Sequence, residues 1–255
     1  MRLKSALRRG VAAAVIAGIV VSSGIPAYAA RWDIANGDIT VKGESDESGN
    51  YNKVKQGEKD FEKDEGETVI TGESDKNTVT IDTSEGNVDV TFDDLKIDAS
   101  DKGEAAVRVE GTGDATIELD GKNELKSGSY NAGLEKNEHE AEGTLTIKDD
   151  KGKDGSLTAE GGDGGGAGIG GGKESTGSNI TIRGGTIEAV GGSNAAGIGD
   201  GAGVLSELDT DTPPSNPNHI IISGDAEVEA KAGASTGGGT AAIGGGDVGE
   251  ISNDA

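Results

Sequence analysis

From Thr68 onward, apolar and polar residues alternate along the chain. Val69 and Thr71, Val79 and Ile81, then Val88, Val90 and Phe92, then Leu95, Ile97 and Ala99 all fall at period two. Val107 and Val109 follow, and after them Ile117 and Leu119. Period two puts one set of side chains on one face of a strand, so these runs predict short strands with one buried side. An earlier run, Gly37-Asp38-Ile39-Thr40-Val41-Lys42, alternates in the same way. Between them the stretch Glu44 to Glu67 is charged and offers only Tyr51, Val54 and Phe61 for burial. It predicts a long, partly disordered surface loop.

The strands come in repeated units. Asn179-Ile180-Thr181-Ile182 is followed by Gly184-Gly185, then Thr186-Ile187-Glu188-Ala189, then Gly191-Gly192. Thr144-Leu145-Thr146-Ile147 leads to Ser156-Leu157-Thr158-Ala159, and His219-Ile220-Ile221-Ile222 leads to Glu227-Val228-Glu229-Ala230. A degenerate copy runs from Ile117-Glu118-Leu119 to Glu124-Leu125-Lys126-Ser127. Beside these pairs sits a third segment: Ala167-Gly168-Ile169-Gly170, Ala196-Gly197-Ile198-Gly199 and Ala241-Ala242-Ile243-Gly244, with Asn131-Ala132-Gly133-Leu134 as an earlier version. Such a unit cannot close a core alone and must stack on its neighbours. The expected fold is all-β, a parallel β-helix or solenoid. Leu145, Ile180 and Ile220 should form one ladder, Leu157, Ile187 and Val228 a second, and Ala159, Ala189 and Ala230 a narrower third. Ile169, Ile198 and Ile243 should plug the corners. Leu205 to Asn218 carries Pro213, Pro214 and Pro217, which cannot donate to a ladder, so it should loop out of the stack.

The first residues change the picture of where the protein works. Arg2, Lys4, Arg8 and Arg9 precede the apolar run Val11 to Val21, and Ala27-Tyr28-Ala29 has the small-x-small pattern of a cleavage site. Residues 1–29 therefore read as an export signal, with no membrane contact after its removal. Residues 30–67 read as an N-terminal strand or cap with the charged loop, and 68–255 as the repeats. The chain holds 23 Lys plus Arg against 47 Asp plus Glu; losing the four basic residues of the signal leaves 19 against 47, a net charge of −28. That surface repels phosphate backbones and excludes nucleic acid as a partner. There is no cysteine, and only one Trp, three Tyr and two Phe accompany 46 Gly. Stability must come from stacking rather than from disulfides or an aromatic core. The chain stops soon after a repeat without a capping pattern, so its last rung is expected either to continue in a longer protein or to be covered by another chain.

The layout Trp32-Asp33-Ile34, Asn36 to Val41, Thr78-Val79-Thr80-Ile81, Asn131-Ala132-Gly133-Leu134 and the Ala-Gly-Ile-Gly repeats resembles a class of secreted bacterial cell-surface proteins. These are repeat-rich, right-handed, single-stranded parallel β-helices, often carbohydrate-binding or adhesin-like. The resemblance implies an exported, non-catalytic binding protein whose partner is a polysaccharide or cell-wall glycan. It also leaves open a stalk or spacer within a larger surface protein, and a calcium-dependent, polysaccharide lyase-like enzyme.

Candidate chemistry is sparse. Sugar rings stack on exposed aromatics, which points to Tyr130, Trp32 and Tyr51. Tyr130, in a turn beside Asn131, should be the most exposed, whereas Trp32 could instead cap the first coil. Calcium prefers oxygen ligands from turns, which points to Asp163 and Asp200 next to the glycine corners, with Asp247 at a third. The run Gly161 to Gly166 lacks the regular Asp spacing of calcium-binding nonapeptides, and it lacks the Lys-Ser/Thr ending of a phosphate loop. A lyase would draw on acid pairs such as Asp93-Asp94 with Asp98, or Asp149-Asp150 with Asp154, and on Arg183. His139 and His219 stand apart from each other and read as surface or turn residues.

Overall fold

Matching residues in successive units face each other across parallel strand pairs. A computed structural model describes residues 29–47, 49–64, 66–152, 154–204, 219–235 and 239–246. Residues 1–28 of the 1–29 stretch read as an export signal, the proline-bearing insertion and Asp247 lie outside the described residues. The described chain is all-β. Its strands begin with β1 (Ala30–Asp33), β2 (Ile39–Asp46), β3 (Gly49–Gln56), β4 (Glu62–Asp64), β5 (Thr68–Ser74), β6 (Val79–Asp82) and β7 (Val88–Asp98). They continue with β8 (Val107–Glu110), β9 (Ala115–Asp120), β10 (Lys122–Lys126), β11 (Leu134–Glu135), β12 (Leu145–Lys148), β13 (Ser156–Glu160) and β14 (Ile169–Gly170). The last are β15 (Ile180–Ile182), β16 (Thr186–Val190), β17 (Ile198–Gly199), β18 (Ile220–Ile222), β19 (Glu227–Lys231) and β20 (Ile243–Gly244).

Two long sheets, curled into a half-barrel, hold these strands. The first is ordered β18-β15-β12-β9-β7-β10-β13-β16-β19, with β5 joining β7 and β1 joining β5. Its long strand β7 is the hub: residues 88–93 pair with β9 and residues 96–98 pair with β10. The second sheet is ordered β20-β17-β14-β11-β8-β6-β2-β3-β4. Every pairing is parallel except β2 with β3 and β3 with β4.

The predicted ladders form. Leu145 pairs with Ile180 and Ile180 with Ile220. Leu157, Ile187 and Val228 line up, as do Ala159, Ala189 and Ala230. Val107, Leu134, Ile169, Ile198 and Ile243 make the corner ladder. These side chains are buried up to Ile198, and each full burial of an aliphatic side chain stabilises the fold by about 1.5–3 kcal/mol. A separate row, Trp32, Ile70, Phe92 and Leu119, crosses β1, β5, β7 and β9 and places the two buried aromatics on either side of Ile70. Close approach of neighbouring strands in the second sheet needs glycine at positions such as Gly199. Gly199 has φ of 129°, and an added Cβ would collide with the Gly244 carbonyl oxygen.

The charged stretch from Glu44 to Glu67 is not a loop. Strands β2 and β3 form an antiparallel hairpin across it, β4 extends the hairpin, and β2 enters the second sheet by parallel pairing with β6. The alternation in β3 was disguised because two of its three buried positions are amides. Asn52 and Gln56 flank the buried Val54. Asn52 Nδ2 donates to Thr68 Oγ1 at 2.9 Å and to the Asp89 carbonyl at 2.7 Å, and Gln56 Nε2 donates to the Asp33 carbonyl at 2.6 Å. Buried polar groups are tolerated when they are satisfied in this way. Of the three residues that the charged stretch offers for burial, Val54 is buried and Phe61 is exposed.

Candidate binding cleft

Outward-facing residues of the first sheet meet the N-terminal hairpin at a cleft of about 330 Å³. Its floor follows strand pairing. Asp89 and Thr116 form one outward row across β7 and β9, and Thr91, Glu118 and Lys148 form the next across β7, β9 and β12. The wall consists of Asn50, Tyr51 and Asn52 of β3 with Gly66 and Glu67, and Lys151 closes the far side. This cover explains why Thr91 and Glu118 are buried although they point away from the core.

The charged groups of the cleft are tied to one another. Glu67 Oε1 accepts from Thr91 Oγ1 and pairs with Lys151 Nζ, which reaches it from 84 residues along the chain. Glu118 Oε1 accepts from the backbone N–H groups of Asp150 and Lys151 at 2.7 and 2.8 Å. Its Oε2 lies 3.1 Å from Lys148 Nζ, which also donates to Asp150 Oδ2 at 2.8 Å. Burial opposes the charge on Lys148, but hydrogen bonds to Asp150 and Glu118 outweigh it and raise its pKa. Lys148 therefore stays an ammonium and is unsuited to act as a base. The Tyr51 hydroxyl donates to Glu44 Oε2 at 2.8 Å, and Lys63 Nζ stands 4.1 Å from the ring centroid. The cleft thus offers hydroxyls, the amides of Asn50, Asn52 and Asn87, paired carboxylates and ammonium groups, beside one aromatic ring.

The residues singled out from the sequence are not gathered here, apart from Tyr51. Tyr130 is 57% exposed as expected, with φ of 75°, and Lys173 Nζ lies 5.0 Å from its ring centroid. It sits at a glycine corner beside Gly164 rather than in the cleft. Trp32 offers no ring for stacking. It is buried in the core, and its Nε1 donates to Asp64 Oδ2 at 3.1 Å. The indole sits at the end of the row through Ile70, where burial of a large ring outweighs exposure. Asp163 is exposed, while Asp200 is buried and its Oδ1 accepts from the Gly177 N–H at 3.0 Å. Among the described residues no group of three or more His, Cys, Asp or Glu side chains could hold a metal ion. Of the acids proposed for lyase chemistry, Asp93, Asp94 and Asp154 come together around Asp120, outside the cleft, while others take separate roles. Asp93 pairs with Arg31 at 2.5 Å, and Asp98 accepts from Ser100. Asp120 has its pKa raised by burial and by Asp93, Asp154 and Asp94. Arg183 reaches Asp150 only at 3.8 Å, on the exposed surface. His139 lines a separate shallow hollow with Glu138 and Lys173.

Sequence reasoning missed Glu67, Glu118, Lys148 and Lys151. The outward register of Glu118 and Lys148 could have been read from the repeats. The wall is not legible, because buried Asn52 and Gln56 hide the alternation of the strand that builds it.

Comparison with known proteins yields no match: no family model, no curated protein and no solved structure resembles the chain.

Proposed function

We propose that the chain is an exported, non-catalytic carbohydrate-binding protein of the bacterial surface, built as a right-handed single-stranded parallel β-helix. The helix reading rests on three parallel ladders that advance together from unit to unit, two from the arms of the first sheet and one from the second. The binding reading rests on one observation above all, the cleft in which Tyr51, Asn52, Thr91, Thr116 and two carboxylate–lysine pairs converge. Sugar hydroxyls both donate and accept, and this set answers both needs. Export follows from the leader pattern. A catalytic role is disfavoured because Lys148 is held protonated and Lys151 is engaged by Glu67.

Retention on insoluble glucan, xylan and peptidoglycan tests the reading. The mature protein should be retained on at least one of them, and Tyr51→Ala with Thr116→Val should weaken retention at least about tenfold without lowering thermal stability appreciably. Equal passage of wild type and variant through every matrix would sink the proposal. Repeating the assay with calcium and with a chelator tests Asp163 and Asp200 as calcium ligands, and release of unsaturated sugars would favour the lyase alternative.

A stalk or spacer role has its own support. Among the described residues β18, β19 and β20 are the outermost strands at one end of their sheets, and Ile222 and Ile243, in register with buried Ile182 and Ile198, are exposed there. A rung of this kind suits a longer stack.

A further inference from the structure

Building on the carbohydrate reading, we propose that the cleft selects uncharged sugar units, rejects carboxylated ones, and owes this selectivity to the Glu67–Lys151 bridge. A sugar carboxylate is held tightly by a cation that is free to meet it. Neither lysine of the cleft is free in that sense. Lys148 lies between Glu118 Oε2 and Asp150 Oδ2, and Lys151 is seated on Glu67. Asp89 stands exposed in the lining and adds negative charge beyond these pairs. A uronate entering the cleft would have to break an ion pair and face that charge. Uncharged hydroxyls need break nothing. They donate to the outer lone pairs of Glu67 and Asp89 and accept from the remaining N–H bonds of Lys151.

The two lysines differ in how readily they could be recruited. Lys148 has two carboxylate partners and is 25% exposed, whereas Lys151 is 41% exposed and leans on Glu67. Glu67 is itself fixed by Thr91, so the bridge is a rigid wall of the cleft. Removing the charge of Glu67 while keeping its shape releases Lys151 and converts the wall into a carboxylate receptor.

The test measures binding of a neutral glucan oligosaccharide, oligogalacturonate and chitosan oligosaccharide by calorimetry at low and high salt. Wild type should bind the neutral probe and reject oligogalacturonate. Glu67→Gln should gain at least about tenfold toward oligogalacturonate, and the gain should vanish at high salt because it is carried by an exposed charge. Adding Lys151→Met to Glu67→Gln should abolish the gain. Asp89→Asn, at an exposed position, should give a smaller gain in the same direction and serves if Glu67→Gln does not fold. The inference is overturned if wild type binds oligogalacturonate more tightly than the neutral probe, or more tightly than chitosan, which the surplus carboxylate charge should favour over a uronate. It is also overturned if neither Glu67→Gln nor Asp89→Asn gains while neutral binding persists; in that case the carbohydrate reading stands. Wild type that binds none of the three probes contradicts the carbohydrate reading and the inference together.

Discussion

Lys136 shows how a single residue is held against its chemistry. It is 1% exposed, and its ammonium donates to the carbonyls of Ala141 at 2.7 Å and Ser178 at 3.0 Å. Burial pulls its pKa down from 10.5 to about 8. Between those values the unfolded chain binds a proton that the folded chain has released, so this residue makes stability rise with pH from about 8 to about 10.5. Below about 8 both states are protonated and the burial cost is fully present. Chemical denaturation of wild type and Lys136→Met from pH 7 to 10.5 should therefore show the wild type gaining on the variant as pH rises; parallel curves would contradict the assignment. Its neighbour Glu135 is displaced in the opposite sense. Burial raises its pKa, opposed by Arg108, whose guanidinium lies 3.0 Å away. At the corners, backbone geometry decides. Gly199→Ala must adopt a positive φ and push against the Gly244 backbone of the neighbouring strand, and should lower unfolding free energy by more than about 1 kcal/mol, measured by urea denaturation.

At the scale of elements, the hairpin β2–β3 does two things. It adds antiparallel strands to one edge of the second sheet, and it walls the cleft. Val54 anchors it opposite Val41, so Val54→Ala should cost about 2 kcal/mol and should weaken glycan binding beyond the loss of stability, because Tyr51 moves with the strand. In the ladders, Ile182 is fully buried between Ile147 and Ile222, and Ile182→Ala should cost about 2–5 kcal/mol in thermal or urea unfolding. These elements also mark what was legible in the sequence. Ladders of Ile, Val and Leu could be aligned by eye because like residues repeat at like positions. The hairpin could not, since Asn52 and Gln56 occupy buried sites where an apolar residue would announce a strand. Asn123 does the same in β10, where it takes the rung below Leu157 and accepts from the Leu95 N–H at 2.9 Å. The cleft depends on that hidden hairpin and on residues brought together from distant units, so composition and spacing gave no sign of it.

Over the whole molecule, the acidic balance and the stacked sheets answer different demands. Net charge of −24 discourages edge-to-edge association of the open sheet ends. Many of the lysines and arginines are spent on pairs across neighbouring units, such as Lys96 with Glu124 and Lys231 with Glu188. Each exposed pair contributes little alone, so the stack owes its stability chiefly to the aliphatic ladders. Both the cleft floor and the proposed β-helix require successive units to lie in strict parallel register. The absence of cysteine allows that register to be trapped directly. Thr146 and Thr181 are paired outward residues on β12 and β15. Parallel neighbours lie about 4.8 Å apart, within the span of a disulfide. Oxidation of the double variant Thr146→Cys, Thr181→Cys, followed by intact and peptide mass spectrometry, should yield a 146–181 cross-link in nearly every molecule, while Thr146→Cys with Ile182→Cys should yield none. Free thiols in the first variant, or an equal cross-link in the second, would contradict the stacked register on which the account stands.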